Sequence, residues 1–538
     1  MKLEELTTEL GLPQFVETDC KEVSGLDLLG LRSIAERVSN QQLDGITTIT
    51  PTVRYLSFYA WIIQRYFDLG GKDHWSSFVR FAKKIESAVV FGNLLAEPAT
   101  SGLIGSDGAR KRLGEESDPL TLGSLVKNPA VGIYSAVARD LGICWDRPNV
   151  PGLTNERGKA LAQVVAKTLD DVPILQQINL EAEEQTADRS ELKSLGERFA
   201  VPDPTEEERT LLIEAMLPAT PNAQEIPRVR TYCMLLQMAG EMGAIPKEND
   251  VFDQVLRPSL DTVPAVLHVG YDAWAHFVVR DMLVAVHETA VGLVCRYLDL
   301  VDLPTHRLGA AEVLTGITEH VDQGLADMGF DSLDSSSPIG QLEEAIAGRL
   351  GHSIQTGAVR RWNGDLLESM VASRVIAGRE DFASAALLPI AWSLAAARSQ
   401  PETEDPSESR QNEGIVGQTR IGIHTVVCPE VQSWSNDKRT IRQVVGDLLR
   451  RSVDQHLRIG WSRLAREPWK DVSVLASDGE EWIYIKQLWA GRTASRLGQA
   501  MRWLQQVGLL QENGPTAAGQ TILTDRLEAL ETTDPIDS

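Results

Sequence analysis

Apolar positions along the chain recur mainly at helical spacing, and runs that alternate as strands do are short and few. The pattern predicts a mainly α protein. A clear stripe follows the stretch "GITTITPTVRYLSFYAW", Gly45 to Trp61. Thr50 and Pro51 read as a helix start, since Thr can cap free N–H groups and Pro suits the first helical position, so a helix is expected over 51–68. Tyr55, Tyr59, Ile62, Ile63, Tyr66 and Phe67 fall on its apolar face, and Arg54, Ser57, Trp61, Gln64, Arg65 and Asp68 on the other. Arg54, Trp61 and Arg65 are therefore candidates for binding a partner, because a Trp between Arg side chains can anchor a protein or stack on a base. Burial of Trp61 under another helix of the same chain is the competing reading.

Two stretches present the same order of signals. "VGIYSAVARDLGICWDRPNVPGLTNERGKALAQVV" gives a helix, the residues LGIC, a Gly/Pro/Asn turn, then Thr154, Gly158 and an apolar helix. "TASRLGQAMRWLQQVGLLQENGPTAAGQTIL" repeats that order with VGLL, a Gly turn, Thr516, Gly519 and a last apolar helix. A helix ended by Gly, a short strand and a return strand leading into another helix is the order a winged helix requires. Ahead of the second copy, "VSVLASDGEEWIYIK" reads as two strands about a tight Asp478-Gly479 turn. The chain thus divides into an N-terminal segment, 1–75; a winged-helix-like unit, 76–170; a helical domain, 171–397; a linker, 398–437; and a C-terminal winged-helix domain, 438–538. The fold class expected is a multi-domain helical protein with two winged-helix-like units. Arg398–Gln418 and Asp331–Gly340 have linker composition, and Ala187–Arg209 marks a softer break.

Length agrees with several domains, because 538 residues exceed what one core accommodates. No apolar run approaches the roughly 18 to 20 residues that cross a bilayer, and the acidic, amphipathic start is unlike a signal peptide. A cytoplasmic protein with no membrane partner is expected. Cys20, Cys144, Cys233, Cys295 and Cys428 form no CxxC pair, which predicts buried thiols rather than a disulfide framework or a thiolate zinc site. No cofactor is expected.

Charge changes the picture. The net charge of −24 argues against nucleic-acid binding by the surface as a whole. Between Lys438 and Arg502, however, thirteen Lys or Arg face seven Asp or Glu, a surplus of six that leaves the rest of the chain at about −30. A recognition helix over Thr493–Val507 would put Arg492, Arg496, Gln499 and Trp503 on one face, opposite Leu497, Ala500, Met501 and Leu504. Arg and Gln suit phosphates and base edges, so these four, with Arg442, Arg450 and Arg451 of the preceding helix, are the DNA-binding candidates. Arg439 and Arg458 add to the same basic region. Winged helices that dock protein are the competing reading.

His and acid residues gather only in "YDAWAHFVVRDMLVAVHETAVGLVCRYLDL", Tyr271 to Leu300. His276, His287 and Glu288, with Asp281, are the candidate metal ligands, although HETAV lacks the second His of an HExxH site. "GLIGSDGARKRL", Gly102 to Leu113, lacks the GxxxxGK[ST] order of a phosphate loop and reads as a turn into a basic helix. No GxSxG elbow occurs, nor does the compact acid and ExK arrangement of a restriction-type nuclease core.

"GLDLLGLRSIAERVSNQQLDGITTITPTVRYLSFYAW", "SGLIGSDGARKRL", and the closing "VSVLASDGEEWIYIK" with "PTAAGQTIL" resemble stretches of large uncharacterised bacterial proteins associated with anti-phage defence or mobile-element loci. The resemblance implies a bacterial cytoplasmic protein and assigns no catalytic residue. The function expected is a non-enzymatic, DNA-contacting and protein-scaffolding subunit of a defence-type assembly. A metal-dependent nuclease and a purely protein-binding adaptor are the alternatives.

Overall fold

A computed structural model of the chain describes residues 27–180, 185–256, 262–300, 306–350, 421–465 and 473–533 apart from a few positions within them. It also describes the paired strands Arg361–Trp362 and Asp365–Leu366 and four residues between 387 and 393. The protein is mainly helical, with strands of two to four residues. The elements used below are, in chain order, α1 (Tyr55–Asp68), α2 (Trp75–Ala96), α3 (Ala130–Asp140), β1 (Cys144–Trp145), β2 (Gly152–Leu153) and α4 (Gly158–Leu169). They continue with α5 (Arg189–Arg198), α6 (Glu206–Met216), α7 (Ile226–Met242), α8 (His268–Leu300), β3 (Arg307–Gly309) and α9 (Ile441–Leu464). The last are β4 (Leu475–Asp478), β5 (Glu481–Tyr484), α10 (Leu497–Gln506), β6 (Leu510–Gln511), β7 (Gly514–Pro515) and α11 (Ala517–Thr533). Two compact units are present, one drawn from Met1–Val38, Phe252–Ser259 and Trp274–Thr493, the other from Ser39–Val251, Leu260–Ala273 and Ala494–Ser538.

In the unit that holds α1, the helix begins at Tyr55, four residues after Pro51. The reason lies in the backbone of Thr50–Val53, whose polar groups are taken by side chains from elsewhere in the unit. The Tyr134 hydroxyl accepts from Thr52 N–H at 3.1 Å and donates to Thr52 O at 2.7 Å. Trp503 Nε1 donates to Thr50 O at 3.0 Å, while Gln506 accepts from Val53 N–H at 2.8 Å and donates to Pro51 O at 3.1 Å. With those groups satisfied, the segment has no need to enter the helix.

The aromatic cluster of α1 is core: Tyr55, Phe58, Tyr59 and Trp61 are each at most 2% exposed. Arg54, Ser57 and Trp61 of the expected polar face are also interior, while Asp68 at its end is exposed, which corrects the reading of Arg54 and Trp61 as surface anchors. Arg54 is buried, with its Nε on both Glu208 oxygens at 3.0 and 2.9 Å and its guanidinium 3.9 Å above the Phe199 ring. Trp61 Nε1 donates to Asp170 at 2.8 Å. Arg65 is half-buried. Helical periodicity identified two faces, but over Tyr55–Ile63 α1 is buried on both.

The soft break at Ala187–Arg209 holds α5 and α6, with Leu192, Leu195 and Phe199 fully buried. Here α2 and α5 cross at glycines: a Cβ on Gly196 would sit 2.0 Å from Gly92 O, and one on Gly92 would sit 2.5 Å from Leu192 O. Of the other break points, Arg398–Gln418 lies outside the described residues, while Cys428–Asn436 inside the 398–437 span is helical.

The repeated order of signals folds into a repeated geometry. α3, the β1–β2 hairpin and α4 form one helix–hairpin–helix module; α10, the β6–β7 hairpin and α11 form the other. Gly142 and Gly508 end the first helix of each at φ 66° and 79°, in the left-handed region that suits glycine. Ile143 N–H returns to Ala138 O at 2.8 Å, and Leu509 N–H to Leu504 O at 2.9 Å. Thr154 Oγ1 donates to Gly142 O and accepts from Gly158 N–H; Thr516 Oγ1 donates to Gly508 O and accepts from Gly519 N–H. A Cβ on Gly158 would lie 2.1 Å from Ile143 O, and one on Gly519 2.1 Å from Leu509 O. The closing helix packs on a long helix in each case, α4 on α1 and α11 on α7.

In the other unit, β3, β5 and β4 form an antiparallel sheet in that order, and the Asp478-Gly479 turn falls where the sequence places it. His456 of α9 secures the sheet's entry: its Nδ1 lies 3.1 Å from Leu28 O and its Nε2 3.2 Å from Val474 N. The carbonyl requires a proton on Nδ1, so Nε2 is the acceptor.

Gly196→Ala is expected to destabilise the protein by about 1–3 kcal/mol, because the added methyl must force two backbones apart. Urea unfolding followed by circular dichroism measures the shift, and an unchanged midpoint would refute the close crossing.

Candidate functional site

The four residues expected on one face of a recognition helix do not share one. The helix is α10, which starts at Leu497, so Arg492 and Arg496 precede it. Arg496 is its N-cap in a left-handed conformation, φ 66°, and donates to Ile46 O at 2.7 Å. Gln499 is 8% exposed and Trp503 0%, the latter being the side chain that binds Thr50 O. Gln499 and Trp503 thus face the core with Leu497, Ala500 and Leu504. Arg492 belongs to the other unit, where its Nε lies 2.5 Å from Asp281 and its guanidinium 4.9 Å above the Phe252 ring.

The His and acid cluster of α8 is likewise parted among other roles. Asp281 and Glu288, seven residues apart on the helix, turn to the same side and receive a non-helical stretch of backbone. Asp281 accepts from Thr493 N–H at 2.6 Å; Glu288 accepts from Gly491 N–H at 2.9 Å and pairs with Arg32 at 2.6 Å. Farther along that side, Gly292 allows Leu488 O to approach: a Cβ there would lie 2.7 Å from it. His287 points elsewhere and is buried, with Nδ1 2.7 Å from Ser452 Oγ. Ser452 gives its single proton to Leu448 O at 2.7 Å, so His287 donates to it from Nδ1. Burial, with Arg451 adding repulsion, lowers its pKa from the usual 6.5 to about 3. His276 is half-buried. Among the described residues no three His, Cys, Asp or Glu side chains converge as metal ligands would. His276, His287 and Glu288 are therefore not brought together as ligands: His287 bonds Ser452, and Glu288 pairs with Arg32 and the Gly491 N–H.

A small recess with room for about one water molecule opens beside Glu86, lined among others by Lys83, Ser87 and Pro129. It is smaller than an ordinary ligand site. The Glu86 carboxylate is engaged by the first N–H groups of α3, Ala130 at 2.9 Å and Val131 at 2.8 Å, and burial raises its pKa to about 7. Residues with such capping duties, Glu86, Glu208 and His456, were not singled out from the sequence. For Glu86 and His456 the only local signal is a polar residue at an apolar position of a helix, whereas Thr205 to Glu208 carries the Thr-x-x-Glu order of a capping box.

The basic candidates on α9 are placed differently. Arg442 and Arg450 are exposed, as is Arg458. Arg442 donates to Ser335 Oγ at 2.9 Å, and Arg451 is half-buried in an ion pair with Glu430. Arg450, Asp454, Arg458 and Trp461 follow at spacings of four, four and three along one exposed face, and Trp461 is 65% exposed. No known protein family, curated protein or solved structure matches the chain. No helix among the described residues is long and apolar enough to cross a membrane.

The depressed pKa of His287 fixes the sign of a pH effect. Its contribution to stability is present above pH 6.5 and is lost as the unfolded chain takes up a proton that the buried ring refuses. Between pH 7.5 and 5 the loss should be about 2 kcal/mol. Urea midpoints at the two pH values should differ by about that much less in His287→Gln than in the wild type. An equal pH dependence in both would refute the assignment.

Proposed function

We propose that the chain is a non-enzymatic, mainly helical scaffolding subunit of a bacterial defence-type assembly, cytoplasmic, that contacts DNA and acts by recruitment or sensing. The observation that carries DNA contact is the outer face of α9. That helix bears Arg442, Arg450, Arg451, Arg458 and Arg463 against Asp447 and Asp454, in a chain of net charge −24. Asp447 is engaged by Arg439 at 3.2 Å, and Asp454 stands between Arg450 and Arg458 in the sequence, its pKa raised by desolvation that the two arginines offset only in part. Arg442, Arg450 and Arg458 face outward with Trp461, beside the exposed Asp447 and Asp454, so cations exceed acids on a face that also carries an aromatic ring, the combination that phosphates and bases attract. The two helix–hairpin–helix modules are read as winged-helix-like units, a reading supported by their shared Gly–hairpin–Thr–Gly hydrogen bonding. The large acidic excess elsewhere favours a second reading as a purely protein-binding adaptor.

Labelled duplex DNA titrated across a salt series separates the two. For the DNA-contacting reading, affinity should fall steeply with salt, and Arg450→Glu with Arg458→Glu should weaken binding at low salt about tenfold or more and flatten the salt dependence by a slope of about 2. Binding that ignores the double reversal would remove the α9 assignment. Absence of DNA affinity at low salt would leave the adaptor.

A further inference from the structure

The two helix–hairpin–helix modules are equivalent in their internal hydrogen bonds, so their differences isolate what the fold does not require. β6 and β7 are joined by Glu512 and Asn513 alone, Gln511 pairing with Gly514. Between the equivalent pair Trp145 and Gly152, the first module inserts six residues, Asp146 to Pro151. The insertion also changes what the hairpin presents. Gln511 occupies the place of Trp145, and Trp145 is 52% exposed.

Its indole is held in place from behind. A Cβ on Gly152 would lie 2.5 Å from the ring, so the ring rests against bare backbone while about half of the side chain stays exposed. The Arg147 guanidinium lies over both rings, 5.8 Å from the Trp145 ring centre and 5.2 Å from that of Phe67. Arg147 is exposed, and among the described residues it forms no ion pair. The acids close by in sequence or contact are otherwise engaged: Asp146 pairs with Arg139 at 3.1 Å, and Asp73 accepts from Val150 N–H at 2.8 Å. An exposed indole beside an uncompensated guanidinium held by two rings offers a π-face and a cation in one place.

We infer that this hairpin takes an unpaired nucleotide of a nucleic-acid strand, its base stacked on Trp145 and its phosphate held by Arg147. The inference deepens the reading of the chain as a nucleic-acid-contacting subunit and rests on it, while using a different element from α9. Stacking on an exposed aromatic is sequence-tolerant and needs an unstacked base, so the hairpin prefers single strands to duplex.

The test measures fluorescence anisotropy of a labelled oligo(dT) and of a duplex of the same length. The proteins are the full chain and its Trp145→Ala, Trp145→Phe and Arg147→Gln variants. Trp145→Ala should weaken oligo(dT) binding about fivefold or more, and Trp145→Phe should retain most of it. Arg147→Gln should reduce the salt slope by about 0.7, and duplex binding should be indifferent to Trp145→Ala. Oligo(dT) affinity unchanged in Trp145→Ala, or reduced equally in Trp145→Phe, overturns the assignment and gives the hairpin to a protein surface. A wild type without single-strand affinity overturns it too, whereas the α9 charge reversals read duplex binding separately, so either reading can fail alone.

Discussion

A buried stretch of backbone outside a helix or sheet must still find partners for its N–H and C=O groups, and in this protein that constraint decides where much of the polar chemistry goes. Thr50–Val53 is such a stretch. Tyr134 from one module and Trp503 and Gln506 from the other converge on it, which is why its helix starts only at Tyr55. In the other unit, Gly491 and Thr493 are received by the carboxylates of Glu288 and Asp281. Without those acceptors the N–H groups would be buried unpaired, at a cost of about 1–3 kcal/mol each.

The same constraint explains why residues with the look of a reactive site turn out to be structural. Carboxylates, a histidine and arginines on neighbouring helical turns suggest catalysis when viewed as a sequence. In the fold they point to separate partners: Arg32, Arg492, Ser452 and backbone amides. Arg54 and Glu208 form an ion pair in which both side chains are at most 3% exposed. A buried pair of this kind specifies which surfaces meet, since either charge alone inside the core would be costly. Polar groups still outward are then the informative ones, and α9 and the longer of the two hairpins each set exposed arginines near an exposed Trp, Trp461 and Trp145.

Duplicated geometry provides an internal control for that distinction. The glycine at the end of the first helix, the threonine bridging the hairpin and the glycine entering the second helix recur because each satisfies a local demand: a left-handed residue, an orphan N–H, a close backbone approach. Hairpin length answers to no such demand. One copy keeps a two-residue connection, Glu512 and Asn513, with Gly514 of β7 against Ala239 O of α7, and the other extends into solvent with Trp145 and Arg147.

Periodicity, the Asp478-Gly479 turn and the Gly–Thr–Gly order of both modules were legible in the sequence because each depends on residues within a few positions of one another. From these the mainly helical class and the repeat follow. The covering of α1 on both sides was not legible: Trp61 meets Asp170 and Arg54 meets Glu208, partners more than a hundred positions away. Helical spacing tells which residues share a face, but nothing local says what lies over that face. For the same reason Asp281 and Glu288 could be placed on one side of a helix, yet whether that side held a metal or a strip of backbone was decided only when Gly491 and Thr493 came to rest against it. The sequence by itself determined the elements and the local hydrogen bonds that end them. Tertiary structure decided which charges are compensated, because compensation depends on distance in space rather than along the chain.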